Sequence, residues 1–242
     1  MRLTDFDVLT FDCYGTLIDW ESGIHAALQP LLARVGRPMP RDEVLETFAR
    51  HESEQEAQTP AMPYSELLAI VHARLARQWG VAPSPDEDGH FGASVPEWPA
   101  FADSASSLQY LEKYYKLVIL SNVDRTSFKG SNAKLGVNFD AIYTAQDVGS
   151  YKPDPRNFAY MLARLGEKGV APHQILHTAQ SLFHDHVPAA AANLASAWID
   201  RRHKVQGWGA TMPPPEDARI DFRFTSMAAM VQAHQETLRG EA

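Results

Sequence analysis

Short apolar runs alternate with stretches of helical period along most of this chain. Val8-Leu9-Thr10-Phe11 is brief, apolar and β-prone, and it ends at Asp12-Cys13-Tyr14-Gly15-Thr16, where Gly15 permits a sharp turn. The period then lengthens. Ile24, Leu28, Leu31 or Leu32, and Val35 recur at helical spacing up to Gly36 and Pro38. Helices are expected over about 41–56, with Val44, Leu45 and Phe48 on the apolar side, and over about 64–79, through Leu67, Leu68, Val71 and Leu75. A weaker helical piece falls between Pro85 and Val95, so 19–98 reads as an all-helical block.

Beyond it the pattern changes. Ser104 is placed to cap a helix through Leu111, and strands are expected over 116–120, 141–144, 175–179, 196–199 and 221–225. Helices are expected near 125–135, 155–165, 185–193 and 226–238, with a Gly/Pro-rich loop from Gly207 to Pro215. Strands alternating with helices imply an α/β fold, a Rossmann-like parallel-sheet core with helices on both faces. The domain division is 1–18 with 99–242 as core and 19–98 as an inserted all-helical cap. In such a core the chemistry collects at the C-terminal strand ends, which singles out Asp12, Ser121-Asn122 and the stretch from Gln180 to Asp185.

Composition narrows the classes. With 242 residues, 45% hydrophobic and 21% charged, the chain has the makeup of an ordinary globular protein with a sizeable core. A net charge of 22 − 30 = −8 argues against a nucleic-acid partner. One cysteine, Cys13, excludes an internal disulfide and a cysteine-based zinc site. Neither a secretory leader nor a membrane span is visible, so a cytoplasmic setting is expected.

Asp12 would cap the turn after its strand or, with the turn's N–H groups around its carboxylate, serve as a nucleophile. Lys152, in Tyr151-Lys152-Pro153-Asp154, is either a solvated loop lysine or the cation that keeps Asp12 ionised. Ser121 and Asn122 would cap a helix or hydrogen-bond a substrate carboxylate or the nucleophile, and Asp185 would cap a helix or position a water. Cys13 is turned away from the Asp12 face by strand alternation. His177, His184 and His186 fit satisfied histidines better than a metal cluster, and His184 or His186 would be the acid for an amine leaving group.

Taken together and in order, Asp12 to Thr16, Ser121, Lys152-Pro153 and the region around Asp185 resemble the four motifs of the haloacid dehalogenase superfamily. Metal-dependent phosphatases of that superfamily carry a second Asp where this chain has Tyr14, and an acid where Gln180 stands. A Mg²⁺-dependent phosphatase is therefore the alternative and not the main expectation. Asp-Cys-Tyr-Gly-Thr, Ser121-Asn122 and Tyr151-Lys152-Pro153-Asp154 are similar to the type II 2-haloacid dehalogenases. The stretches 11–20, 121–125, 131–136, 144–149 and 184–186 are more similar still to the azetidine-2-carboxylate hydrolase branch.

The resemblance implies a reaction without metal or other cofactor. Asp12 would attack C2 of a small 2-substituted carboxylate to give an aspartyl ester, which water then hydrolyses. It assigns Thr16 to orienting Asp12, Lys152 to keeping it charged, Asp185 to the water, and Tyr14, Ser121 and Asn122 to the substrate. Arg50 is the nearest candidate for the arginine that grips a leaving halide in the dehalogenases. Phe158 and Leu182 depart from their pattern. The expected partners are a small carboxylate and water, with a homodimer by family analogy and with neither nucleic acid nor membrane.

Overall fold

The computed structural model describes residues 1–214 and 218–240; Pro215, the end of the expected Gly/Pro-rich loop, lies outside them. Six strands form one parallel sheet: β1 (Val8–Phe11), β2 (Lys116–Ser121), β3 (Ala141–Thr144), β4 (Ile175–Ala179), β5 (Ala195–Ile199) and β6 (Phe222–Phe224). Their order is β3-β2-β1-β4-β5-β6, so the chain winds outward from β1 in both directions. Phe11 pairs with Ile119 of β2 and with Thr178 of β4. That register brings the residues after β1, β2 and β4 to one edge, at the point where the strand order reverses and α/β sheets open a crevice.

Five helices occupy the chain between β1 and the approach to β2: α1 (Trp20–Ala27), α2 (Gln29–Val35), α3 (Arg41–Gln58), α4 (Tyr64–Gln78) and α5 (Pro85–Gly92). The single helix expected over 24–35 is two. Pro30 lies in the first turn of α2 and has no N–H to offer the preceding turn, so α1 closes at Leu28. Next comes α6 (Ser104–Leu111), where Ser104 is the first helical residue and not the cap. Its hydroxyl donates to Leu17 O at 2.7 Å and pins the helix to the loop after β1.

The remaining helices are α7 (Arg125–Leu135), a short α8 (Ala145–Val148) closed by a Thr144–Asp147 capping box, α9 (Arg156–Gly166), α10 (Val187–Ala191) and α11 (Met227–Arg239). A π-helical turn, Leu182–His186, stands where a plain helix start was expected. Widened turns of this kind gather at functional sites.

Alternation along the strands divides the core. Leu9, Leu117, Ile119 and Leu176 join one cluster with the inserted helices, α6 and α11. Val8, Val118, Leu120 and Ile175 face the other way, onto Phe158, Met161 and Leu165 of α9. Helices therefore cover both faces, as buried parallel strands require. No helix among the described residues is long and apolar enough to cross a membrane.

The two ends of the helical insertion run side by side. Asp19 N donates to Pro99 O at 2.8 Å, Phe101 N donates to Leu17 O at 3.1 Å, and Ile18 bridges Ala100 in antiparallel fashion. Gly23 of α1 sits directly under Trp98 at this neck, where an added Cβ would stand 2.3 Å from Trp98 Cγ. Alanine normally helps a helix interior by about 1 kcal/mol over glycine. Here Gly23→Ala is expected to lower stability by about 1–3 kcal/mol through overpacking, read as a fall in the thermal unfolding midpoint.

Candidate active site

Asp12 follows β1 at the crevice and is 6% exposed. Side chains hold its carboxylate, taking the role expected of the turn's backbone N–H groups. Thr16 Oγ1 donates to Oδ2 at 2.8 Å and Lys152 Nζ donates to Oδ1 at 2.9 Å. Thr16 is fixed in turn because its hydroxyl accepts from Gln180 N at 2.9 Å.

Lys152 is not a solvated loop lysine. It is 1% exposed, and its ammonium donates to Asp12, to Asp185 Oδ1 at 2.6 Å and to Leu120 O at 3.0 Å. Three acceptors use all three of its protons. Burial works against the lysine charge, but Asp12 and Asp185 outweigh it and raise the pKa. Asn122 holds the lysine's backbone: Lys152 N donates to its Oδ1 at 2.6 Å, and its Nδ2 donates to Lys152 O at 2.9 Å. The Asn122 amide is thus engaged by protein, whereas the buried Ser121 hydroxyl has no hydrogen-bond partner.

Asp185 lies in the π-helical turn and is 1% exposed. Burial pushes its carboxyl up, but Lys152 and the His177 ring hold it well below the usual carboxylate range. His177 Nε2–H donates to Oδ1 at 3.0 Å, and Thr10 Oγ1 lies 2.9 Å from His177 Nδ1. Since a carboxylate only accepts, His177 Nε2 carries a proton in that contact. Asp185 Oδ2 has no partner. Asp12 moves the other way: burial raises it and the Asp185 charge adds to the rise, against the pull of Lys152 and Thr16. One ammonium serves two carboxylates; it stands 2.6 Å from Asp185 and 2.9 Å from Asp12, and Asp185 has the further His177 donor.

These groups open into a small cleft. The core contributes Asp12, Tyr14, Asn122, Lys152, Ser181, His184 and Asp185; the helical insertion contributes Trp20, Glu52, Glu56 and Tyr64. Tyr14 is held by a 2.9 Å hydrogen bond to Ser131 Oγ and an edge contact with Trp98. His186 does not reach the cleft, since Ser196 Oγ and Ala179 O engage both its nitrogens at 2.9 and 3.0 Å. His184 does: Ser181 Oγ lies 3.1 Å from its Nδ1, leaving Nε2 without a hydrogen bond. Burial lowers its pKa to about 4, so the ring is neutral near pH 7.

Arg50 is a correction. It is exposed on α3 and lines a separate groove with Glu43, Glu46 and Trp208. It stands two residues from both Phe48 and Glu52, which is about 200° around the helix. The residues that α3 turns to the cleft are Glu52 and Glu56, which sequence reasoning missed. A signal was present: Leu45, Phe48, Glu52 and Glu56 are spaced 3, 4 and 4 apart and share one face, so two acids interrupt an apolar stripe. Burial pushes Glu52 up to about 8 although the Tyr64 hydroxyl donates to it, and burial together with the Glu52 charge holds Glu56 well above the usual range.

A hard divalent cation does not fit this donor set. The space between Asp12 and Asp185 holds the Lys152 ammonium, and the neighbouring Tyr14 and Gln180 add no charge for a cation. Among the described residues no group of three or more His, Cys, Asp or Glu is arranged to hold a metal ion.

The model of the haloacid dehalogenase-like hydrolase family matches residues 6–178. An (S)-2-haloacid dehalogenase from Burkholderia cepacia is 27% identical over 173 residues, covering 68% of this chain and 71% of that protein. The structure of an L-2-haloacid dehalogenase from Xanthobacter autotrophicus with chloropropionic acid covalently bound superposes with a TM-score of 0.76. It is 21% identical and covers 98% of this chain and 100% of that one. A putative hydrolase from Bacillus subtilis bound to magnesium gives 0.74 at 16% identity, covering 97% and 100%. The structural likenesses establish the shared fold.

The Glu52 shift has a consequence for stability. Its folded pKa, about 8, lies above the ordinary 4.5, so the stability it contributes is complete below about pH 4.5 and is lost as pH rises toward 8. From this group alone the loss is about 1.4 kcal/mol per pH unit. Glu52→Gln keeps an acceptor for Tyr64 and is expected to flatten the decline between pH 5 and 8, measured by urea unfolding at each pH.

Proposed function

The chain belongs to the haloacid dehalogenase-like hydrolase family, and we propose that it substitutes at C2 of a small 2-substituted carboxylate with Asp12 as the nucleophile. One observation carries this reading: the Lys152 ammonium is locked between two buried carboxylates, one on each side of the step to be performed. Asp12 faces the cleft, with Thr16 and Lys152 fixing its two oxygens. Its attack on C2 forms an aspartyl ester as the bond from C2 to the leaving group breaks. Asp185 Oδ2, free and buried at the same cleft, takes the proton of a water that adds to the Asp12 carbonyl carbon. Collapse returns the Asp12 carboxylate and releases a 2-hydroxy carboxylate. Residues 19–98 serve as the cap that keeps bulk water from the ester, with Trp20 and Tyr64 as walls.

Both a halide and a strained ring nitrogen, as in L-azetidine-2-carboxylate, meet the requirements of this reaction. The exposure of Arg50 favours nitrogen, because no arginine side chain lines the cleft among the described residues.

Asp12→Asn is expected to reduce turnover by about 10³-fold or more while the unfolding midpoint stays near wild type. In heavy-oxygen water, a single turnover should place the label in Asp12 and leave the first product unlabelled. Label appearing first in the product would mean direct attack by water. Asp185→Asn should let the ester accumulate, seen by intact-protein mass as a gain equal to the bound acyl fragment. Excess chelator should leave wild-type turnover unchanged, whereas phosphoester hydrolysis restored by Mg²⁺ would overturn the reading.

A further inference from the structure

We propose that Glu52 and Glu56 form the seat for a positively charged amine at C2 of the substrate, and so select an amino-type carboxylate over a 2-haloacid. The inference rests on the carbon-centre reading above and names which substrates that site accepts.

The charge balance of the cleft is the first argument. Among the described residues, four carboxyl groups line it (Asp12, Glu52, Glu56 and Asp185), facing one permanent cation, Lys152. The Lys152 ammonium is saturated by Asp12, Asp185 and Leu120 O, so it has no proton left for Glu52 or Glu56. The glutamates are met by neutral donors instead. The Tyr64 hydroxyl donates to Glu52 Oε1, and Asn122 Nδ2 donates to Glu56 Oε1 at 3.2 Å. Glu56 Oε2 faces His184 Nε2 at 3.9 Å, across a gap too long for a hydrogen bond.

Buried carboxyl groups without a cation are costly to keep charged, which is why burial drives both upward. Such a pair in a cleft with a nucleophile suits a ligand that brings its own positive charge.

Geometry adds a direction. Asp12 comes from the sheet edge and the glutamates come from α3 in the inserted block. In an in-line displacement the leaving group departs away from the nucleophile, here toward the insertion. An ammonium nitrogen accepts the electron pair of the breaking C2–N bond and leaves as a neutral amine with its protons, beside two carboxyl groups that hold them. A halide would leave as an anion toward the same carboxyl groups, and the cation of the described lining residues, Lys152, already has its protons taken.

The test uses the full-length Asp12→Asn protein, which cannot turn over, and titration calorimetry with two ligands. L-azetidine-2-carboxylate carries the ring ammonium; cyclobutanecarboxylate keeps ring and carboxylate but has no nitrogen. The azetidine is expected to bind about 30-fold more tightly, the worth of a charge-assisted hydrogen bond. Adding Glu52→Gln and Glu56→Gln should remove most of that preference. Equal binding of the two ligands to the protein with both glutamates intact, or a preference that survives both substitutions, would overturn the glutamate assignment while leaving the carbon-centre reading in place. Binding of neither ligand would overturn that reading, and this inference with it.

Discussion

The architecture of the site depends on burying one ammonium between two carboxylates. Lys152 reaches Asp12 on the loop after β1 and Asp185 in the π-helical turn after β4, so its three protons bind together segments more than thirty residues apart in either direction. Losing the lysine would leave two carboxylates uncompensated in the interior, at several kcal/mol. The surrounding chain is built to prevent that. Asn122 grips the lysine backbone from the end of β2, Thr16 and Gln180 fix the Asp12 side, and His177 with Thr10 fixes the Asp185 side.

Because the lysine is shared unequally, two carboxylates of the same chemical type are set apart. Asp185, with His177 as a second donor, is held strongly ionised, while Asp12 is pushed upward by its burial and by the neighbouring negative charge. Environments that drive paired groups in opposite directions are how one site assigns different tasks to like residues. The histidines show the same sorting. His186 is satisfied on both nitrogens, His177 serves the carboxylate, and His184 keeps one nitrogen free toward the cleft.

The helical insertion contributes acid to the cleft. Helical geometry settles this at α3, because a residue two positions from the inward stripe is carried to the far side. Arg50 is therefore exposed, while Glu52 and Glu56 are buried against Tyr64 and Asn122. The core of the site and its insertion thus differ in character: the core is a compensated charge network, and the insertion presents carboxyl groups matched only by neutral donors.

Local pattern determined much of this molecule. Apolar runs of four to six residues marked the strands, helical spacing marked the insertion, and post-strand position marked Asp12, Ser121 and Asp185, because these signals arise from neighbours within one or two turns of chain. Family motifs added Lys152, which spacing alone would leave as a solvated loop residue. What the sequence by itself did not determine was long-range. The break of α1 from α2 at Leu28, the widened turn at Asp185 and the engagement of the Asn122 amide by Lys152 and Glu56 all follow from packing between distant segments. So does the acid face of α3. A polar residue on an apolar stripe is ambiguous in one dimension, and only the docking of that helix over the sheet edge decides whether it meets solvent or a cleft.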